Sequence, residues 1–217
     1  MHGFRFFYHT TLKRDRTTFA IPSLRQPGKL PALLSREEVQ RLIAHAPHLK
    51  HRTMLLTTYA AGLRLSEVLH LRVGDVDSAR MTIRVEQGKG GQDRYTVLSA
   101  RLLDALRAYW KVARPSTWLF PSGTRPQPMD PSGLQRAYQT AKYRAGIRKP
   151  GGIHALRHAF ATHLLEAGVD VHTIQRLLGH RSIGTTTRYW HLTQASLTTQ
   201  AARLDLLDGL PATPPQA

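Results

Sequence analysis

The chain has 217 residues, with 31 Lys+Arg against 14 Asp+Glu, a formal net charge of +17 and no cysteine. The lack of thiols excludes disulfides, zinc–thiolate sites and cysteine nucleophiles, and no apolar run approaches the ~20 residues of a membrane span. A hydrophobic content of 41% supports one packed domain. The charge excess favours a polyanionic partner. Nucleic acid fits better than a membrane surface, because the basic residues are spread along the chain rather than clustered beside an apolar segment.

Residues 1–21 are basic and aromatic (Phe4, Phe6, Phe7, Tyr8, Lys13, Arg14, Arg16) and suit a single helix. Pro22, Pro27, Gly28 and Pro31 mark 22–34 as a linker. Ser35-Arg36-Glu37-Glu38 is a capping box, followed by Val39, Leu42 and Ile43 at helical spacing. A second helix is predicted over Thr53–Ala61, stopped by Gly62, and a short one from Ser66 to about Leu71. Met81–Glu86 alternates, Gly88–Gly91 is a turn, and Arg94–Leu98 is a second β-rich run: a hairpin with Lys89 at its tip. Ser99 caps a helix to about Ala113, Pro121–Pro131 is a loop, and 132–145 is a basic helix. His154–Ala167 closes at Gly168, and Asp170 caps a helix to Leu178 that ends at Gly179. Further helices are expected over Thr185–His191 and Ser196–Leu207, then a disordered tail at 209–217. The expected fold class is mainly α with a small antiparallel β-sheet (α+β). The N-terminus lacks a signal-peptide core, and nothing requires an oxidising compartment, so a cytoplasmic location is expected.

Several residues stand out chemically. In His154-Ala-Leu-Arg157-His158, positions i, i+3 and i+4 share a helix face, so three potential cations face one way. Alone, that pattern suits a solvated basic face. Arg64 follows a helix stop within apolar surroundings, where an unpaired guanidinium is costly; Glu67, three residues on, is its natural partner. Lys89 sits on a glycine-flanked turn, His180 just past a helix end, and Tyr189 nine residues later. Tyr59, Tyr109, Tyr138 and Tyr143 have apolar neighbours at helical spacing and are expected in the core, and Tyr95 is a strand residue. Zinc ligation by the histidines (His45, His48 and His51, or His154, His158 and His163) finds no supporting H-E-x-x-H helix.

The stretch HALRHAFATHLLEAGVDVHTIQRLLGHRSIGTTTRYWHL at 154–192 resembles the C-terminal signature of the tyrosine recombinases, the phage-integrase and Xer-like family. AAGLRLSEVLHL at 60–71 resembles that family's first arginine box, GKGGQDRYTVL at 88–98 its β-hairpin lysine segment, and LPALLSREEVQRLI at 30–43 the start of its catalytic domain. By position, the resemblance implies a catalytic set of Arg64, Lys89, His154, Arg157, His180 and Tyr189, with Glu67 and His158 in supporting positions. It implies the tyrosine recombinase catalytic fold over 30–208, with 1–29 as a remnant of an N-terminal DNA-binding domain plus linker. It also implies double-stranded DNA as substrate, a homotetramer on DNA assembled by exchange of the C-terminal helix, and a nucleoid-associated location.

The implied chemistry suits these residue types. Two guanidiniums can fork onto the non-bridging oxygens of a phosphodiester and offset charge growing in the transition state. Tyr189 attacks phosphorus to give a 3′-phosphotyrosine, and the departing 5′-oxygen takes a proton from Lys89 to leave as a free 5′-hydroxyl; the lysine's reference pKa of ~10.4 must fall for that role. His180 adds a hydrogen bond, and His154 is the candidate proton acceptor. The covalent link conserves bond energy, so neither ATP, metal nor other cofactor is expected. Three other readings compete. A DNA-binding protein without chemistry would keep the charge and lose the catalytic residues; a truncated recombinase would keep the active site but lack strand exchange; a type IB topoisomerase-like enzyme would share the phosphotyrosine step.

Overall fold

The computed structural model describes residues 33–86, 93–123 and 127–179. Seven α-helices and a three-stranded antiparallel sheet are seen among the described residues. Ser35 caps α1 (Arg36–Ala44) with a complete capping box: its hydroxyl accepts from the Glu38 backbone, and Glu38 accepts from the Ser35 backbone N–H at 2.7 Å.

Helix α2 (Leu49–Ala60) is the hub, in contact with α1 and with α3 (Leu65–Leu69), α4 (Ala100–Ala113), α5 (Pro131–Arg144) and α6 (His154–Glu166). It is packed on several sides, so its apolar residues show no single stripe. Thr53, Thr57 and Thr58 are buried there because each hydroxyl donates to the carbonyl four residues earlier: Leu49, Thr53 and Met54, at 2.9, 2.7 and 2.8 Å. The helix begins four residues before the expected Thr53. Its first turn carries Lys50, His51 and Arg52, which break the apolar pattern.

The strands are β1 (Val76–Asp77), β2 (Thr82–Val85) and β3 (Arg94–Val97), ordered β1-β2-β3. The hairpin was expected; β1 was not, since two residues are too few to show alternation. In β2–β3, Ile83 faces Thr96 and Val85 faces Arg94. Directly opposed residues share a face, so Arg94 lies on the same side as the buried Ile83, Val85 and Thr96. The Thr96 hydroxyl donates to the Ala61 carbonyl at 2.8 Å, tying the sheet to the end of α2.

Helix α4 starts at its predicted cap, Ser99. Asp130 caps α5, whose buried stripe is Leu134, Ala137, Tyr138 and Ala141. Tyr143, expected in the core, is 86% exposed instead: five residues past Tyr138 is about 140° around the helix, off the stripe. Tyr109 and Tyr138 are buried as expected. Helix α6 is buried through Ala155, Leu156, Arg157, Ala159, Phe160, Ala161, Thr162 and His163. Helix α7 (Val171–Leu178), capped by Asp170 and closed by Gly179, lays Ile174 and Leu178 against Phe160 and Ala161. The mainly α fold with a small antiparallel sheet matches the sequence expectation. The helices expected over 185–191 and 196–207 lie outside the described residues.

Candidate active site

The centre of the site is the Glu67 carboxylate on α3, with 6% of its side chain exposed. Arg64, one turn earlier, donates twice: its backbone N–H to Oε2 at 2.7 Å and its Nη1 to Oε1 at 2.6 Å. Arg94 from β3 adds a fork, Nη1 to Oε1 at 2.7 Å and Nη2 to Oε2 at 2.8 Å. Arg157 from α6 lies with Nη1 3.6 Å from Oε2. Three guanidiniums therefore share one carboxylate, and two positive charges remain in surplus.

Backbone carbonyls complete the frame. Arg94 Nε donates to Leu177 O at 3.0 Å, Arg157 Nη2 to Leu178 O at 2.6 Å, and Arg64 Nη2 to Gly179 O at 3.3 Å. Three successive carbonyls at the C-terminal end of α7, which a helix leaves without internal partners, each accept from a different arginine. The negative end of the helix dipole also favours cations there. Arg157 Nη1 donates to Gly62 O at 2.5 Å.

Two glycines let these chains approach. Gly62 has φ +63°, and a Cβ on it would lie 2.4 Å from Phe160 Cδ1. Gly179 has φ +62°, and a Cβ would lie 2.6 Å from Arg94 Cδ. Either substitution would combine left-handed strain with a clash.

Burial alone would raise the Glu67 carboxyl pKa. Hydrogen bonds and charge from Arg94, the Arg64 backbone N–H and the Arg157 charge outweigh it and hold the pKa down to about 2. His158 is pushed below its ordinary value by burial, then by the neighbouring His154 and Arg157. His154, in the first turn of α6, is exposed.

Of the residues singled out from sequence, Arg64, Glu67 and Arg157 meet at one point, with His154 and His158 on the same helix as Arg157. Lys89, His180 and Tyr189 lie outside the described residues. The Arg64–Glu67 pair expected from sequence is present, but it is one edge of a larger cluster. Arg94 was missed as a site residue. The readable signal was parity: positions 94 and 96 of the strand share a face, and an arginine on the inward face needs a buried anion. No three His, Asp or Glu side chains among the described residues are grouped as a metal site. His163 instead pairs through Nδ1 with the Tyr59 hydroxyl at 2.9 Å, and His45 Nδ1 with Arg41 O at 2.8 Å. No helix among the described residues is long and apolar enough to cross a membrane.

Known proteins resemble this chain in both sequence and fold. The model of the phage integrase family matches residues 32–196. An integrase/recombinase of Sinorhizobium fredii, y4qK, is 46% identical over 98% of this chain and 70% of its own length. The crystal structure of XerA recombinase superposes with a TM-score of 0.72 at 27% identity, covering 94% of this chain and 81% of that one. XerH recombinase bound to its difH substrate, in a post-cleavage complex, gives a TM-score of 0.69 at 25% identity, covering 80% of this chain and 53% of XerH. The chain belongs to the phage integrase family, the tyrosine recombinases, whose chemistry is the cleavage and rejoining of DNA strands.

Proposed function

We propose that this chain carries out site-specific recombination by transferring a DNA strand to Tyr189 and back, with the arginine cluster at Glu67 as its phosphate-binding centre. The observation that carries the reading is the surplus of two positive charges held in fixed geometry around one buried carboxylate. Such a centre suits a phosphodiester whose negative charge grows in the transition state. Arg64, the most open of the three guanidiniums with 22% of its side chain exposed, takes one non-bridging oxygen, and Arg157 the other.

The Tyr189 oxygen attacks phosphorus, and the bond to the 5′-oxygen breaks. Lys89 protonates the departing 5′-oxygen to give the 5′-hydroxyl, His154 accepts the phenol proton, and His180 donates a hydrogen bond to a non-bridging oxygen. Glu67 orients the arginines. His158, whose lowered pKa favours the neutral imidazole at pH 7, supports them without adding charge. Attack by a 5′-hydroxyl on the phosphotyrosine reverses the sequence, so rejoining needs no outside energy source.

The catalytic domain on this reading spans 30–208 and contains the family match, with 1–29 as the end of an N-terminal DNA-binding region. The protein acts on double-stranded DNA in the nucleoid as a tetramer joined through its C-terminal helices. XerH, bound to its substrate, supports the DNA part of this reading.

Single-turnover cleavage of a nicked suicide DNA in excess EDTA tests it. Arg157→Ala slows the chemical step about 100–1000-fold, the usual cost of losing one strong oxyanion donor, while DNA affinity changes far less. An unchanged cleavage rate with weakened affinity would reduce Arg157 to a backbone anchor.

A further inference from the structure

Arg94 is outside the catalytic set assigned above, yet it makes the most complete contact in the site. Its fork takes both Glu67 oxygens, its Nε takes Leu177 O, and only 11% of its side chain is exposed. A purely structural ion pair would need one cation for one carboxylate, and Arg64 already supplies it at 2.6 Å. A second, bidentate guanidinium on the same anion is a surplus that a fold built for stability alone would not place there, since desolvating a further cation is costly.

The electrostatics give it a use. Glu67 fixes Arg64 and lies near Arg157, but its negative charge also cancels one of theirs. With Arg94 in place, the carboxylate is offset from the side of the sheet. Arg64 and Arg157 then confront the phosphate with their full charge. We propose that Arg94 is a positioning residue for the strand-transfer reaction: by engaging both oxygens of Glu67 and the Leu177 carbonyl, it frees the charge of Arg64 and Arg157 for the scissile phosphate and fixes the end of α7. This inference rests on the recombinase reading above.

The position of Arg94 makes it a three-way tie. It begins β3, directly after the segment that carries Lys89. It reaches α3 through Glu67, beside Arg64. It grips the end of α7 two residues before Gly179, the residue that precedes His180. The missing Cβ of Gly179 is what lets the Arg94 side chain pass. One side chain thus sets the spacing between the strand after Lys89, the arginine pair and the start of the segment bearing His180 and Tyr189.

The test uses the full chain, a nicked suicide DNA, and four variants: Arg94→Gln, Arg94→Lys, Glu67→Gln and Arg94→Gln/Glu67→Gln. Cleavage rate, adduct amplitude, DNA affinity and melting temperature are measured for each. Arg94→Gln slows the rate about 100-fold, the scale of one lost electrostatic contribution to a transition state, with DNA affinity within about threefold. Arg94→Lys keeps the charge but loses the fork, and is about tenfold slower than the parent chain.

The double variant decides between roles. Removing the carboxylate that Arg94 offsets restores charge to Arg64 and Arg157, so it cleaves about tenfold faster than Arg94→Gln alone, a coupling that a double-mutant cycle measures. A merely structural residue would lower melting temperature and adduct amplitude while leaving the rate per active molecule unchanged. Parental rates in Arg94→Gln or in Arg94→Lys, or additive losses in the double variant, would overturn the inference. Failure of the parent chain to form any adduct would overturn the recombinase reading together with it.

Discussion

Glu67 holds a charge that burial opposes, and three arginines keep it ionised. Its pKa lies near 2 when folded against an ordinary 4.5. A carboxyl with a depressed folded pKa contributes stability that is fully present above the unfolded value and is lost as pH falls through the folded one. The protein therefore loses stability between about pH 4.5 and pH 2 on account of this residue. Glu67→Gln is predicted to flatten that part of the acid-unfolding curve, read by circular dichroism against pH. It also loses stability at pH 7, where the arginines keep their charge without the anion. A variant curve parallel to the parent's would contradict this. Arg64 was readable from sequence because a guanidinium in apolar surroundings needs a partner, Glu67 because it lies three residues on, and Arg157 because it shares a helix face with His154 and His158 in a motif that resembles the family signature. Arg94 was missed: strand parity puts it on the inward face, but its partner is 27 positions away in the chain and nothing local names it.

At the scale of elements, the helices with good caps were legible: Ser35, Ser99 and Asp170 start helices where the sequence placed them, and Gly168 and Gly179 end them. The start of α2 and the position of Tyr143 were not. A helix buried on several faces has no stripe to read, and an aromatic with apolar neighbours in sequence can still fall off the buried face. The loop between α2 and α3 is where elements and site meet, because Ala61 O holds the sheet through Thr96 and Gly62 O holds Arg157. Gly62→Ala forces a Cβ against the Phe160 ring and a non-glycine residue into φ +63°. The expected loss is about 2–4 kcal/mol, from strain and overpacking together, seen as a lower denaturation midpoint in urea with an unchanged slope. Cleavage falls as well, because Gly62 O moves with the backbone and Arg157 with it. A variant as stable as the parent would show that the α2–α3 loop can relax without cost.

On the recombination reading proposed above, the whole molecule has to bring a second DNA strand and a second active site together, and the C-terminal segment is the part proposed for that. Ser196–Leu207 spaces Leu197, Ala201, Leu204 and Leu207 at steps of 3–4 residues, an amphipathic pattern that must be covered somewhere. On the reading proposed above it docks on a neighbouring protomer, which links assembly to the position of Tyr189. Leu204→Asp combined with Leu207→Asp leaves a folded monomer that still binds DNA but fails in synapsis and strand exchange. Circular dichroism, a synapsis assay and a recombination assay separate these outcomes. Unfolding of the monomer would place the helix on its own domain instead. The fold class, the order of elements and the family were legible at this scale because the motifs recur in sequence order. Exchange of the C-terminal helix rests on the family resemblance alone, since the apolar spacing of 197–207 suits docking on its own domain equally well.

The proposed function stands on a covalent bond between Tyr189 and the 3′-phosphate of DNA. Incubating the protein with a nicked suicide substrate in excess EDTA, digesting the SDS-stable adduct and mapping the modified peptide by mass spectrometry measures it directly. The expected result is a nucleotide mass on Tyr189, and no adduct from Tyr189→Phe at nearly unchanged DNA affinity. An adduct on any other residue, an adduct persisting in Tyr189→Phe, or cleavage that requires added Mg²⁺ would contradict it.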